Sequence, residues 1–322
     1  MENEIRKDGY IKLERIFEKD ECTLMNLEEI SESNEIIAES SIKTVFSYLG
    51  EIWLFKQDYK NTSYIELVLE ELAHDFGIPS VHYDLATLNG REGVITKYFK
   101  KKDCKYLFGE ELLKEYVEEG LKISEDNFSV WDSAVLSHNS LEGIWRALDY
   151  RYRNSKNRES IVWHLMSRLV DIFIFDILTH QKDRHSYNWG IVESEGKIDI
   201  QPLYDNELAF DDIKELPPLV SESLKEEEPL HFSHYDHSTE EALVEFLEVS
   251  GSRYIEKLEE KLPLIQEENI ASVISRVEKR IGCEIPQFVK EHIQDCFSDI
   301  VLETTETIRK YKESLKTNHS KK

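Results

Sequence analysis

Glycine, cysteine, basic charge and long apolar runs are all scarce in this sequence, and each shortage excludes something. The twelve glycines are scattered and never form G-x-G-x-x-G. There is no Walker lysine loop, no G-x-S-x-G elbow and no H-E-x-x-H, which removes the commonest motif-bearing nucleotide, hydrolase and zinc-protease classes. The four cysteines, Cys22, Cys104, Cys283 and Cys296, include no pair at CxxC spacing; in a chain this long they read as reduced thiols and not as a disulfide framework. The longest apolar run, Ile172 to Leu178, is interrupted by Asp176 and is far too short to span a bilayer. Met1-Glu2-Asn3-Glu4 has no basic region leading into an apolar stretch, so no secretory signal is expected and the expected location is cytoplasmic. Lys and Arg number 40 against 65 Asp and Glu, a formal net charge of −25. Such a chain repels phosphate backbones and anionic lipid, which disfavours direct nucleic-acid or membrane-surface binding. Any site for an anionic nucleotide must then be locally positive or carry metal.

What is present is the composition of a globular protein: 322 residues, 40% apolar and 33% charged, enough for one large domain or two modest ones. Residues 1–39 are acidic and weakly periodic and predict a short helical or irregular preface. From Ser40 the pattern changes. Ile42 to Tyr48 alternates and is β-rich, Leu49-Gly50-Glu51 is a turn, and Ile52 to Lys56 is a second strand, together a hairpin. Ser63 is a plausible N-cap for a helix carrying Ile65, Val68, Leu69 and Leu72, which stops at Gly77-Ile78-Pro79. Two more strands, Val81 to Ala86 and Gly93 to Tyr98, flank Asn89-Gly90. Hairpin, helix, hairpin predicts a small antiparallel sheet with one helix over 40–99.

Residues 100–322 read as mainly helical. Glu110 to Gly120 predicts a helix, and Glu159 to about Thr179 predicts a longer one whose last two turns are apolar nearly all round and therefore buried. A polar segment follows, then strands at Trp189 to Val192 and Ile198 to Tyr204 around Glu195-Gly196. Helix resumes at the capping-box pattern Ser238-Thr239-Glu240-Glu241.

The chemistry concentrates in the polar segment. Asp183 is followed five positions later by Asn188, then by the hairpin, and Asp205 sits at its exit. Alone, Asp183 and Asn188 are ordinary turn formers and Asp205 a solvated strand end. After a buried helix and before a hairpin, the order suits phosphoryl transfer: one aspartate takes the proton of an attacking hydroxyl, and asparagine and a second aspartate offer hard oxygen ligands to magnesium. The N-terminal sheet supplies a second test. Lys56 ends an apolar strand, and the following helix offers Glu66 ten residues later, with Glu70 and Glu71 beyond. A strand lysine paired with a helix carboxylate is how kinases hold nucleotide phosphates.

Several stretches are similar to HipA-like serine/threonine kinases. Asp183-Arg184-His185-Ser186-Tyr187-Asn188-Trp189-Gly190 resembles that family's catalytic loop, and Pro202-Leu203-Tyr204-Asp205-Asn206 its metal loop. Gly50 to Lys56 resembles its lysine strand, and Glu66 to Pro79 the helix carrying the acidic partner. The likeness covers about Ser40 to Phe210. It implies an α+β, two-lobed protein-kinase-like fold: an extension (1–39), a small antiparallel-sheet N-lobe with one helix (40–99) and a larger helical C-lobe (100–322). It also implies ATP with Mg²⁺, serine or threonine phosphorylation and an antitoxin-type partner. By the same match Lys56 holds phosphates, Glu66 positions it, Asp183 is the base, Asn188 and Asp205 bind metal, and Arg184 and His185 brace the loop. Thr96 and Tyr98 would lie in the hinge that touches adenine through backbone groups.

The chain departs from the kinase pattern in three places. A Ser-rich turn at Ser40-Ser41 stands where a glycine loop would cover the phosphates, and its serines are candidate autophosphorylation sites. Asp205 is followed by Asn206-Glu207 and not by Phe-Gly. By the same resemblance, the extra N-terminal subdomain of longer family members is expected to be absent or cut to residues 1–39. The first two departures keep alive a catalytically weak pseudokinase or nucleotide-binding regulatory module. A kinase for small molecules or lipids is a third reading, which the net charge disfavours for an anionic lipid surface. His231, His234 and His237 are spaced by three, which does not place them on one helix face or match common zinc spacings.

Overall fold

The computed structural model describes residues 6–7, 9–18, 22–25, 43–58, 61–100, 103–124, 128–137, 139–181, 184–206, 209–210 and 252–319. Asp183, Ser40, Ser41, Glu207, the three histidines of 231–237 and the capping box at 238–241 lie outside the described residues.

The described N-lobe is one sheet with a helix against each face. Strands β1 (Arg6–Lys7), β2 (Tyr10–Lys12), β3 (Cys22–Met25), β4 (Lys43–Tyr48), β5 (Glu51–Gln57), β6 (Tyr83–Leu88) and β7 (Arg91–Lys97) lie in the order β1-β2-β6-β7-β5-β4-β3. The two expected hairpins are present. Leu49–Gly50 and Asn89–Gly90 turn them with positive φ at both central residues, the geometry that matches strand twist in two-residue hairpins. The 1–39 segment differs from the expected helical or irregular preface. It contributes three strands to this sheet, one of them (β2) parallel to β6, and a short helix α1 (Leu13–Phe17). The reason is a second core. Alternate residues Phe46, Phe55, Ala86 and Ile95 face away from the main core, and Ile11, Leu13 and Ile16 cover them. Without that cover a row of large apolar side chains would face water.

On the other face lies α2 (Thr62–Asp75), buried on nearly all sides. Its start is not capped by Ser63. Asp58 accepts from the backbone N–H groups of Asn61 (2.9 Å) and Ser63 (2.8 Å), while Ser63 Oγ is buried without a hydrogen-bond partner.

The C-lobe begins with β8 (Lys105–Phe108) and α3 (Gly109–Glu115), the latter running into a π-helical turn at Tyr116–Gly120. α4 (Phe128–Ser137), α5 (Leu141–Arg151) and α6 (Arg158–Leu178) follow. The last two turns of α6 are buried all round. The hairpin β9 (Gly190–Ser194) and β10 (Lys197–Ile200) pairs with β8 in a second, three-stranded sheet. α7 (Ser252–Lys261), α8 (Glu267–Ile281) and α9 (Gln287–His319) complete the described chain. The main core runs without a break from α2 through α6 to α9. A short parallel bridge joins Ser80 to Leu203, with Val81 N–H donating to Leu203 O at 2.9 Å. That bridge brings the segment before Asp205 against the N-lobe. Among the described residues no helix is long and apolar enough to cross a membrane.

Candidate active site

A cleft of about 990 Å³, counting its open mouth, separates the lobes. The two-residue period of β5 explains one wall. Ile52, Leu54 and Lys56 point into the cleft, while Phe55 points into the outer core. Val45, Val81 and Val94 add apolar surface, and Tyr187, Asn188, Tyr204 and Asp205 come from the C-lobe side.

Lys56 is the hub. Its Nζ donates to Glu66 Oε1 at 3.2 Å and also to Asp205 Oδ1. Lys56 is 7% exposed and Glu66 1%, a burial that charged side chains reach only when paired. Glu66 also accepts from the backbone N–H of Asn206 through both oxygens, each at 3.1 Å. One carboxylate on α2 therefore ties the strand lysine to the backbone just after Asp205. β7 must pass very close to Lys56 for this. A Cβ on Gly93 would sit 2.2 Å from Lys56 O, a contact no larger residue makes without shifting a strand.

Asp205 is held in the left-handed region, at φ +58°, a strain of about 1–3 kcal/mol that persists only where surroundings enforce it. The enforcement is visible. Its N–H donates to Tyr83 OH at 3.3 Å, and its carbonyl accepts from Gln181 Nε2 at 3.0 Å. Burial pushes the Asp205 carboxyl up, but the charges of Lys56 and Lys43 and the Lys56 hydrogen bond outweigh it and hold the group well below the usual carboxylate range. Burial and the Glu66 charge push the Tyr83 phenol well up, so it remains protonated.

The loop after α6 is organised by Arg184. Its fork donates to both carboxylate oxygens of Asp176 at 3.0 Å each, to Asn188 O at 3.1 Å, to Tyr204 O at 2.9 Å and to Asn206 Oδ1 at 2.7 Å. Burial disfavours its charge, but Asp176, Tyr204 and Asp205 more than compensate and raise its affinity for the proton. His185 braces the same loop: Nδ1 accepts from Tyr187 N–H at 3.2 Å, and Nε2 lies 3.2 Å from Asn188 Nδ2. Tyr204 OH donates to Tyr187 O, and its ring stacks on Phe99 at 5.3 Å.

The structure thus brings together Lys56, Glu66, Asn188, Asp205, Arg184 and His185. Thr96 and Tyr98 line the same cleft, with the Tyr98 N–H donating to Ile52 O at 2.8 Å. Sequence reading missed the parts played by Lys43, Tyr83, Gln181 and Asp176. Only Lys43 had a legible signal: it lies opposite Lys56 across the β4–β5 hairpin, and directly paired residues share a face.

The donors also fit a magnesium ion. An ionised aspartate and an asparagine amide are hard oxygen ligands, and Mg²⁺ in nucleotide sites takes one or two carboxylates with the rest from phosphate and water.

No family model matches the chain, nor does any curated protein. Solved structures do match. The crystal structure of the Helicobacter pylori proinflammatory kinase CtkA superposes with a TM-score of 0.56 at 16% identity, covering 89% of this chain and 96% of that one. HipA from a toxin–antitoxin system of Shewanella oneidensis MR-1, in complex with HipB and operator DNA, gives 0.51 at 12% identity, covering 94% of this chain and 72% of that one. At these identities the likeness carries the architecture. The chain has the two-lobed fold of HipA-like kinases.

Proposed function

We propose that the chain is an ATP- and Mg²⁺-dependent serine/threonine protein kinase of the HipA-like type, cytoplasmic and without direct nucleic-acid or membrane contact. The observation that carries the proposal is Lys56 held between Glu66 and Asp205 in a cleft that Asn188 also lines. With Mg-ATP present, Lys56 exchanges its contact with Asp205 for the nucleotide phosphates while Glu66 keeps it in place. Asp205 and Asn188 hold the metal, which when bound neutralises charge on the phosphates. Thr96 and Tyr98 flank adenine. Ser40 and Ser41, which lie outside the described residues, offer hydroxyls for autophosphorylation and stand in sequence where the family's phosphate-covering segment is expected. A substrate hydroxyl attacks the γ-phosphorus, the bond to the ADP oxygen breaks, and the proton passes to Asp183. Arg184 and His185 keep the loop in register. An antitoxin-type inhibitory partner belongs to the same proposal.

The test is transfer of labelled phosphate from ATP, with Mg²⁺, to the purified chain itself and to proteins of a cell extract. Phosphoserine or phosphothreonine is expected, reduced about 10²–10⁴-fold in Asp183→Ala and strongly reduced in Asp205→Ala. Calorimetric ATP binding without transfer would replace this reading with the nucleotide-binding regulatory module. Absence of both binding and transfer would reject it.

A further inference from the structure

The helix carrying Glu66 is gripped from the far lobe. Arg276 on α8 donates from Nε to Glu71 Oε1 and from Nη2 to Asp75 Oδ2, both at 2.7 Å. One turn on, Arg280 forks onto Glu70 at 2.7 and 2.9 Å. As numbers rise along α8 they fall along α2, so the two helices run antiparallel at this contact. Two more C-lobe cations close the end of α2: Lys261 donates to Phe76 O at 3.1 Å and Arg168 to Gly77 O at 3.2 Å. Cations there complement the negative end of the helix dipole.

Glu70 is the inner member of this strap. It is fully buried and lies one helical turn beyond Glu66, on nearly the same face. Besides Arg280 it accepts from His82 Nδ1 at 2.7 Å and from Tyr83 N–H at 3.0 Å. Tyr83 in turn accepts from Asp205 N–H through its hydroxyl. The grip on Glu70 therefore reaches both partners of Lys56: Glu66 along α2, and Asp205 through Tyr83.

We propose that Arg276 and Arg280 are positioning residues for phosphoryl transfer: by fastening α2 to α8 they hold Glu66 on Lys56, so the lysine is in place without an activating movement of α2. The proposal rests on the kinase reading. It differs from a purely structural role, in which the arginines would add stability and leave turnover alone.

The experiment combines amide hydrogen exchange over Thr62–Asp75 with steady-state ATP turnover in Arg276→Ala, Arg280→Ala and the double variant. Arg276→Ala is the safe member, because Arg276 is 38% exposed and its loss leaves no fully buried charge alone. Faster exchange confined to α2 is expected, with kcat down by up to about fivefold in Arg276→Ala, the most that a half-exposed ion pair can shift a population, a larger drop in the double variant, and a much smaller change in KM for ATP. Glu71→Ala with Asp75→Ala should reproduce the Arg276→Ala effect from the α2 side, and Arg276→Lys should restore much of it. Faster exchange with unchanged kcat, or no change in either, would overturn the proposal. If the wild type binds ATP without turning it over, the kinase reading fails separately, and unaltered α2 exchange in the double variant would then overturn the strap as well.

Discussion

Two arginine networks hold this molecule's site, and they are built on opposite principles. Around Arg184 every partner comes from one stretch of chain, Asp176 to Asn206, and the ion pair is almost completely dry, with side chains 3% and 2% exposed. Around Arg276 and Arg280 the carboxylate partners are some two hundred residues away in sequence, and the outer pairs are half-wet. The first fixes the shape of a loop; the second fixes where one helix stands relative to another. A buried fork is costly to break because it strands a charge, whereas an exposed pair is worth little by itself. Stability should therefore depend mainly on the first network, and the placement of α2 on the second.

Breaking the Arg184 network should have the largest effect. Arg184→Ala leaves Asp176 buried and unpaired, and a loss of about 3–5 kcal/mol in unfolding free energy is expected by urea denaturation. Arg184→Lys should recover only part of this, since one ammonium cannot reproduce the planar fork. Next is Gly93→Ala, where the added methyl meets Lys56 O and the Phe55 ring; about 1–3 kcal/mol of destabilisation is expected, accompanied by weaker ATP binding by calorimetry. Arg276→Ala should cost under about 1 kcal/mol in the same unfolding measurement, so that any loss of turnover would stand out against an almost intact fold.

The smallest effect is a pH dependence confined to the strap. His82 hydrogen-bonds Glu70, and that bond raises its pKa above the usual 6.5 against the opposing pull of burial and of Arg280, with Asp84 adding a raising contribution. Its protonated form favours the folded state. The contribution is complete below pH 6.5 and is lost as pH climbs through the raised folded value. Glu70 has the opposite sign. Burial raises it, but its bonds to His82 and Arg280 and the Arg280 charge lower it overall, so its contribution is lost as pH falls through the depressed value. In His82→Asn, the stability deficit against wild type should shrink as pH rises above 6.5, read from urea unfolding at a series of pH values. A deficit independent of pH would mean that His82 contributes only its hydrogen bond.

The sequence by itself determined what is local. The period of β4 and β5, the Gly-containing turns, the apolar surround of α6 and the order Asp183, Asn188, hairpin, Asp205 are all set by neighbours within a few tens of residues. They were enough to predict a small sheet followed by a helical remainder, and the resemblance carried by the same residues implied the two-lobed kinase-like fold. They also singled out Lys56, Glu66, Asn188 and Asp205, which the structure places in or beside one cleft. Tertiary structure decided the rest. Residues 1–39 read as a short helical or irregular preface because strands of two to four residues show too little periodicity to be recognised; only the apolar outer face of the sheet, which they cover, explains why they pair there. Ser63 looked like a cap, yet Asp58 does the capping, because the helix starts at Thr62 and Ser63 is already inside its first turn. In sequence Glu70, Glu71 and Asp75 are only further acidic residues on the helix that carries Glu66. They are a binding edge for α8, since two helices at opposite ends of the chain meet only once the common core has closed around them.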